Sequence, residues 1–325
     1  MQSFIRLLAR VAAAAAVLGG TAAHAQDYPA RPVRLVVGFA AGGPTDVIAR
    51  TIAQEMSASL GQSVVVENKP GANSLIATEA VARAAPDGYT LIFASLSHNV
   101  NPLLSKSAKY DPLKDFVPIS NVAILPLVLV TQPGQPFGSV KELVQAAKAQ
   151  PGALTFGSAG NGGSAHLAGE LLQTMSDTRM THVPYKGNAP ALTDVMGGQV
   201  SFMFYPVVGI ADFVAQKRLK VLAVASPQRL PEFASAPTMA EAGFPGFDET
   251  APWVGMLAPA GTPPAVVARL HEAVAKGLAS PAARDKLRSL GAIVVGDTPP
   301  QFAAYLRADA ERWARVIKSA GLKAE

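Results

Sequence analysis

Two glycine-rich segments hold the residues best able to do chemistry. One is Phe39-Ala40-Ala41-Gly42-Gly43-Pro44-Thr45-Asp46, and the other runs from Gly157-Ser158 through Asn161-Gly162-Gly163-Ser164-Ala165-His166. Each follows a short β-like run and precedes an alanine-rich helical pattern. A strand that turns through glycines into a helix leaves the first N–H groups of that helix unpaired, with the positive end of its dipole facing outward. Such a turn favours an anion. Two of them in one chain predict two jaws that grip one small acid. A helix N-terminus favours a carboxylate by about 0.3–1 kcal/mol, rising to about 2 kcal/mol when partly buried. Hydrogen bonds to a charged group add about 1.5–3 kcal/mol each. Two or three N–H groups per jaw then give micromolar binding, about −8 kcal/mol, after the costs of association.

Other chemistries fit less well. A hydrolase elbow needs G-x-S-x-G, and Gly162-Gly163-Ser164-Ala165-His166 places histidine where the last glycine belongs. His166 is too near in sequence to be read as the base, so Ser164 reads as a helix cap and His166 as a residue of its first turn. Gly160-Asn161-Gly162-Gly163-Ser164-Ala165 fits a G-x-G-x-x-A dinucleotide fingerprint, but no acidic residue closes a following strand where a ribose would need it. His98, His166, His182 and His271 have no metal-ligand spacing. Neither a metal nor a cofactor is expected, and no catalytic residue is assigned.

The elements that position these loops follow an α/β rhythm. Strands are expected at Val33–Phe39, Val64–Glu67 and Tyr89–Ala94, with helices from Thr45 or Asp46 to about Leu60 and from Ser74 to Arg83. That alternation predicts a doubly wound unit with a parallel sheet. The apolar run Asn121–Val130 is broken by Pro126 and is expected to bend between lobes. The rhythm then restarts. Ser139 caps a helix to Ala149, and strands follow at Leu154–Gly157, Thr181–Tyr185, Val200–Tyr205 and Leu219–Ala225. Helices fall between them at His166–Met175, Ala189–Met196 and Ile210–Gln216. A strand at Trp253–Ala258, a helix at Ala265–Ala279, a short strand at Ile293–Val295 and a last helix from Pro300 complete the chain. Phe302, Leu306, Trp313 and Ile317 form a core stripe on that last helix.

Composition narrows the setting. Of 325 residues, 49% are hydrophobic and 16% charged, which fits a globular chain with ample core. The first 25 residues read as an export signal: Arg6 and Arg10, the apolar run Val11–Leu18, and cleavage after Ala23-His24-Ala25. Removing it takes the formal charge from +5 to +3, too mild for nucleic acid, and 6% aromatics argue against base stacking. The absence of cysteine excludes disulfides, thiol nucleophiles, thiolate metal sites and a lipoprotein anchor. The expectation is a periplasmic protein, for which the alternative to anion binding is a periplasmic serine hydrolase using Ser164 or Ser158.

The chain resembles the periplasmic solute-binding receptors of the tripartite tricarboxylate transporter family, also called Bug receptors. The matching stretches are Arg31-Pro32-Val33-Arg34 into the first glycine loop, Glu67-Asn68-Lys69-Pro70-Gly71-Ala72, and Pro86-Asp87-Gly88-Tyr89-Thr90-Leu91. They continue with the second loop through Glu170, His182-Val183-Pro184-Tyr185-Lys186-Gly187, and Ala258-Pro259-Ala260-Gly261-Thr262-Pro263. The resemblance implies a two-lobed α/β periplasmic-binding-protein fold of type II, a Venus flytrap with a central ligand cleft. Residues 26–127 and 253–325 would form lobe 1, and residues 128–252 lobe 2. It further implies a monomer that binds a small mono- or dicarboxylate, aromatic ones included, and delivers it to membrane permease subunits. Ala41, Gly42, Gly43 and Asp46 of one lobe and Ser158, Asn161, Gly162 and Ser164 of the other would hold the carboxylate, with Phe39, Ser95, Tyr185 and Tyr205 lining the pocket. Two departures stand out. Relatives often read Pro-Gly-Ala-Gly-Gly where this chain has Ala72-Asn73-Ser74 after Gly71. Many also carry an acidic residue near Tyr205, and its absence disfavours an amino-acid ligand.

Overall fold

The computed structural model describes residues 28–319, and the export signal with its cleavage site lies outside them. The first sheet is built from β1 (Val33–Val37), β2 (Val64–Asn68) and β3 (Thr90–Ser95), which run parallel in the order β2-β1-β3. Crossovers α1 (Pro44–Leu60) and α2 (Leu75–Ala82) join them. Leu35 and Val37 of β1 pack with Ile48, Ile52 and Met56 of α1 in one apolar cluster. Three further strands extend the sheet antiparallel: β10 (Trp253–Pro259), β4 (Phe116–Ile124) and β11 (Ile293–Val294). The sheet is therefore mixed, not purely parallel.

A second sheet has the order β7-β6-β8-β5-β9, from β5 (Leu127–Thr131), β6 (Thr155–Ser158), β7 (Thr181–Pro184), β8 (Phe202–Pro206) and β9 (Lys220–Ala225). Strands β7, β6 and β8 are parallel, and β5 and β9 continue antiparallel. Helix α4 (Val140–Ala149) precedes β6, α5 (Ser164–Ser176) joins β6 to β7, α6 (Asn188–Met196) joins β7 to β8, and α7 (Ala211–Ala215) precedes β9. The two sheets share a plan: β2-β1-β3-β10-β4 matches β7-β6-β8-β5-β9 strand for strand and direction for direction. In each, the fourth strand arrives from the other lobe. The chain crosses over between Ile124 and Leu127, where Pro126 interrupts the apolar run, and returns before Trp253. At that crossing the Leu125 N–H donates to Pro252 O (2.9 Å) and the Val207 N–H to Pro126 O (2.8 Å).

Helix α3 (Ser97–Leu104), which the sequence pattern did not reveal, starts one residue after β3. Helices α8 (Pro264–Ala279), α9 (Pro281–Ser289) and α10 (Pro299–Ser319) close the first lobe. The predicted stripe on α10 is buried, with Phe302, Leu306, Trp313 and Ile317 at most 6% exposed. Between these residues Asp309 ties three elements together. Its Oδ2 accepts from Trp253 Nε1 of β10 (3.0 Å) and Asn99 Nδ2 of α3 (2.9 Å), while Oδ1 accepts from Arg312 (2.7 Å). The carboxylate is 1% exposed, so removing it strands buried donors. We expect Asp309→Ala to lower the unfolding free energy by about 3 kcal/mol, read from urea denaturation followed by tryptophan fluorescence.

Candidate functional site

Four helices begin at the gap between the lobes: α1 and α3 from the first, α5 and α6 from the second. Each follows the carboxyl end of a parallel strand, β1, β3, β6 or β7, where ligands of open α/β sheets bind. None has a side-chain cap, whereas Ser139 caps α4 and Ser280 caps α9. The expected caps on the two glycine loops are displaced: Gly43, not Thr45 or Asp46, is the N-cap of α1, with Pro44 as its first helical residue. Likewise Gly163 is the N-cap of α5, and Ser164 is its first helical residue. A glycine cap has no side chain to accept from the first turn, so those N–H groups stay available.

The two loops are structural copies. Gly42 and Gly162 have φ of +77° and +75°, in the left-handed region. The Gly42 N–H donates to Asp46 Oδ2, and the Gly162 N–H donates to His166 Nδ1, both at 2.9 Å. The third helical residue thus reaches back to fix each loop. Asp46 does nothing else within reach of the cleft, because its carboxylate also accepts from Arg50 Nε (2.9 Å) and Asn68 Nδ2 (2.8 Å). Burial alone would raise its pKa, but the hydrogen bonds from Arg50, Gly42 and Asn68 and the Arg50 charge together hold it below the usual carboxylate range.

Between the loops lies a narrow cavity of about 20 Å³, room for about one water molecule as the lobes stand. Phe39, Ser95 and Ser164 of the expected residues line it. Asn161 and Tyr185 line an adjoining groove at its mouth, where the Tyr185 hydroxyl donates to Asp194. Ala41 and Gly42 are exposed at the loop tip, while Gly43 is buried beside Ala189 of the facing lobe. Gly162 packs against Leu104 and Val100 of α3. Ser158 is turned away from the cavity and fully buried: its Oγ meets His182 Nε2 at 2.6 Å and accepts from the Gly160 N–H at 3.1 Å. Tyr205 lies in the core of lobe 2 among Val128, Val183 and Leu192, and Pro206 is the residue of β8 that reaches the cavity. The absence of an acid at Tyr205 therefore says little about the ligand.

Sequence reasoning missed Thr45, Asn73, Ser97 and Asn188, which also line the cavity. Oxygens Asn73 Oδ1, Ser97 Oγ and Asn188 Oδ1 are buried there without a protein partner. Asn188 follows Gly187, a strand-to-helix turn visible in the sequence. Ser97 begins a helix whose turn has no glycine, so a search for glycines passes over it. Asn73 sits in a left-handed run, Ala72, Asn73 and Ser74 having φ of 45°, 50° and 71°. Such residues carry about 1–3 kcal/mol of strain each. Among the described residues, no Lys, Arg, His, Asp or Glu side chain lines the cavity.

Comparisons with known proteins match this geometry. A family model described as Tripartite tricarboxylate transporter family receptor matches residues 48–322. The chain belongs to that family. It is 38% identical over 321 residues to protein BugT of Bordetella pertussis, covering 98% of each chain. Among solved structures, the periplasmic binding protein BugD superposes with a TM-score of 0.88 at 38% identity, covering 92% of this chain and all of BugD. R. palustris Rpa4515 with adipate gives 0.88 at 37%, covering 92% of this chain and all of that one. MatC from Rhodopseudomonas palustris with bound malate gives 0.85 at 35%, covering 89% and all. The two-lobed periplasmic-binding fold is thus shared with close relatives, and this Bug-type receptor has, among its described residues, no helix long and apolar enough to cross a membrane.

Behind the second loop, His166 and His182 stack with centroids 4.0 Å apart, and Phe156 stacks on His182. Burial first and His166 second push the His182 pKa down to about 3, and burial takes His98 to about 4. In the unfolded chain both would titrate near the ordinary value of 6.5. Below that value the unfolded state binds more protons, so stability falls with falling pH. The stabilisation is complete above about 6.5 and drains through about 4 and about 3. We expect the melting temperature to drop as pH is lowered through this window. His182→Gln, whose amide can still meet Ser158, should show a shallower slope of melting temperature against pH.

Proposed function

We propose that this receptor closes its lobes on one small mono- or dicarboxylate and delivers it to membrane permease subunits of a tripartite transporter. The observation that carries the reading is the convergence of four uncapped helix N-termini on a cavity with no charged side chain. Dipole ends and backbone N–H groups there favour an anion without a salt bridge. Adipate and malate in two related structures support a carboxylate as that anion. In this reading Gly43, Ser164 and the first N–H groups of α1 and α5 hold the carboxylate. Asp46 and Ser158 keep the loops in shape, and Phe39 and Ser95 form walls. Lobe 1 comprises residues 26–127 and 253–325, and lobe 2 residues 128–252. The mature protein begins after Ala25, acts as a periplasmic monomer and is not an enzyme.

Closure is a hinge motion about the two crossings at residues 125–126 and 252. Across the cleft the Ala40 N–H donates to Lys186 O at 3.2 Å. A Cβ on Gly187 would come within 3.0 Å of Ala40 N, so Gly187→Ala props the lobes apart. We expect purified mature protein to gain thermal stability with at least one acid of a mono- and dicarboxylate panel, and Gly187→Ala to weaken that binding about tenfold by calorimetry. No shift with any acid would sink the proposal.

The pair Ser158 and His182, 2.6 Å apart, is the one observation favouring a serine hydrolase. Against it, Ser158 is 0% exposed, so a scissile carbonyl has no approach to its Oγ. We expect no turnover of nitrophenyl esters. Turnover abolished in the Ser158→Ala/Ser164→Ala double variant would establish the hydrolase instead.

A further inference from the structure

Asn73 stands apart from every other residue of the cavity. It is 5% exposed, it has a left-handed backbone, and it belongs to the first lobe while facing the second. Its Oδ1 lies 3.3 Å from where a side chain on Gly163 would begin, and its Cβ lies 3.3 Å from the corresponding point on Gly160. The side-chain amide has one orientation. Asn73 Nδ2 donates to Asn101 Oδ1 (3.1 Å), and Asn101 Nδ2 donates back to Asn73 O (2.9 Å). This reciprocal pair ties the amide nitrogen down and leaves Oδ1 pointing at the cavity, buried and without a partner.

An acceptor is out of place there. The helix N-termini around it offer donors and a positive field, which suit the carboxylate oxygens of the ligand and not an amide oxygen. A buried acceptor with no donor is a standing penalty, so the ligand is the expected source of one. A carboxylate cannot supply it. An ammonium could, but no acidic side chain lines the cavity to balance the charge, and four helix N-termini oppose a cation. A hydroxyl donates without charge.

We propose that Asn73 selects for a hydroxy acid, accepting a hydrogen bond from a ligand hydroxyl at Oδ1 while the helix N-termini hold the carboxylate. The proposal rests on the carboxylate-receptor reading above and specifies its ligand. A site built around a ligand hydroxyl disfavours the analogue lacking it, because the acceptor then loses its partner. Asn101 is the positioning residue that keeps the acceptor facing inward.

The test is calorimetric titration of the mature protein with acids matched except for one hydroxyl: malate against succinate, and lactate against propionate. Aspartate serves as the amino counterpart of malate. The hydroxy member should bind about three- to tenfold tighter, the worth of one hydrogen bond. In Asn73→Gly, which tolerates the same backbone conformation, the ratio should fall to near one, with the deoxy member's affinity changed less. Asn101→Ala, which frees the amide to turn, should reduce the ratio in the same direction. An unchanged ratio in Asn73→Gly, no preference in the native protein, or aspartate binding tighter than malate would each overturn the proposal. If the acids bind without discrimination, the carboxylate-receptor reading stands and only the hydroxyl selection falls. If no acid of a broad panel binds, that reading fails and takes this proposal with it.

Discussion

Everything around the cleft follows from one constraint: a helix cannot satisfy its own first N–H groups. For two helices away from the cleft a serine does so: Ser139 caps α4 by accepting from the Glu142 N–H at 3.2 Å, and Ser280 caps α9, while α2, α7 and α8 have no side-chain cap. At the cleft the capping position is glycine in three of four helices, Gly43, Gly163 and Gly187. The unpaired donors then converge from both lobes on a space with no charged lining. Glycine at these points serves a second purpose, since Gly187 lets its loop approach Ala40 closely enough for the lobes to touch. The titratable side chains nearest the loops sit one layer back. Asp46 and His166 each hold an N–H of the loop in front of them, so the loops keep their shape whether or not an anion is present.

The same plan, executed twice, explains why the two halves can meet so symmetrically. Each sheet has three parallel strands, two of which deliver helices to the cleft from their carboxyl ends, and an antiparallel fourth strand on which the chain enters from the other lobe. The chain passes between the lobes only ahead of β5 and ahead of β10, in two short crossings held side by side by the Leu125 N–H to Pro252 O bond. Each lobe has its own main apolar cluster, Phe156, Phe202 and Phe204 in lobe 2 and Leu35, Phe93 and Val254 in lobe 1, and smaller contacts join them: Ala159 and Val208 enter the lobe 1 cluster, and Leu167 packs with Leu96, Val100 and Trp313. A ligand that bridges the jaws can bias a rotation of one lobe against the other.

The fold was legible because its signals are local. Glycine turns, a proline-broken apolar run and helical stripes placed most strands and helices within a few residues. Where the signal was absent the element was missed: α3 follows β3 through Leu96 with no glycine, α9 (Pro281–Ser289) and the Phe116–Ser120 half of β4 were not expected, and α10 hides its role in Asp309, a charged residue that periodicity assigns to a surface. The site was half legible. Loop positions such as Gly43 and Ser164 lie where the pattern put them, since backbone dipoles depend on element order alone. Side-chain direction does not. Ser158 and Tyr205 alternate with cavity-facing neighbours along their strands, and which face each takes depends on packing across two sheets. Asn73 was visible only as a departure from glycine, and its meaning needed the facing loop of the other lobe.

Division of labour within the cavity has a consequence for evolution of ligand choice. The anion-holding groups are backbone N–H donors, which survive almost any side-chain substitution that preserves the turns. Affinity for a carboxylate is thus hard to lose and says little about which acid is taken. Discrimination must come from the few neutral side chains whose polar atoms reach the cavity, here Asn73, Ser97 and Asn188. Of these only Asn73 is locked in orientation by a second side chain, through its reciprocal pair with Asn101. It is also the one that accepts left-handed strain to be there. A strained, buried and unpaired group is retained against its own cost only where something offsets it, and Asn73 lines the cavity on which the four helix N-termini converge.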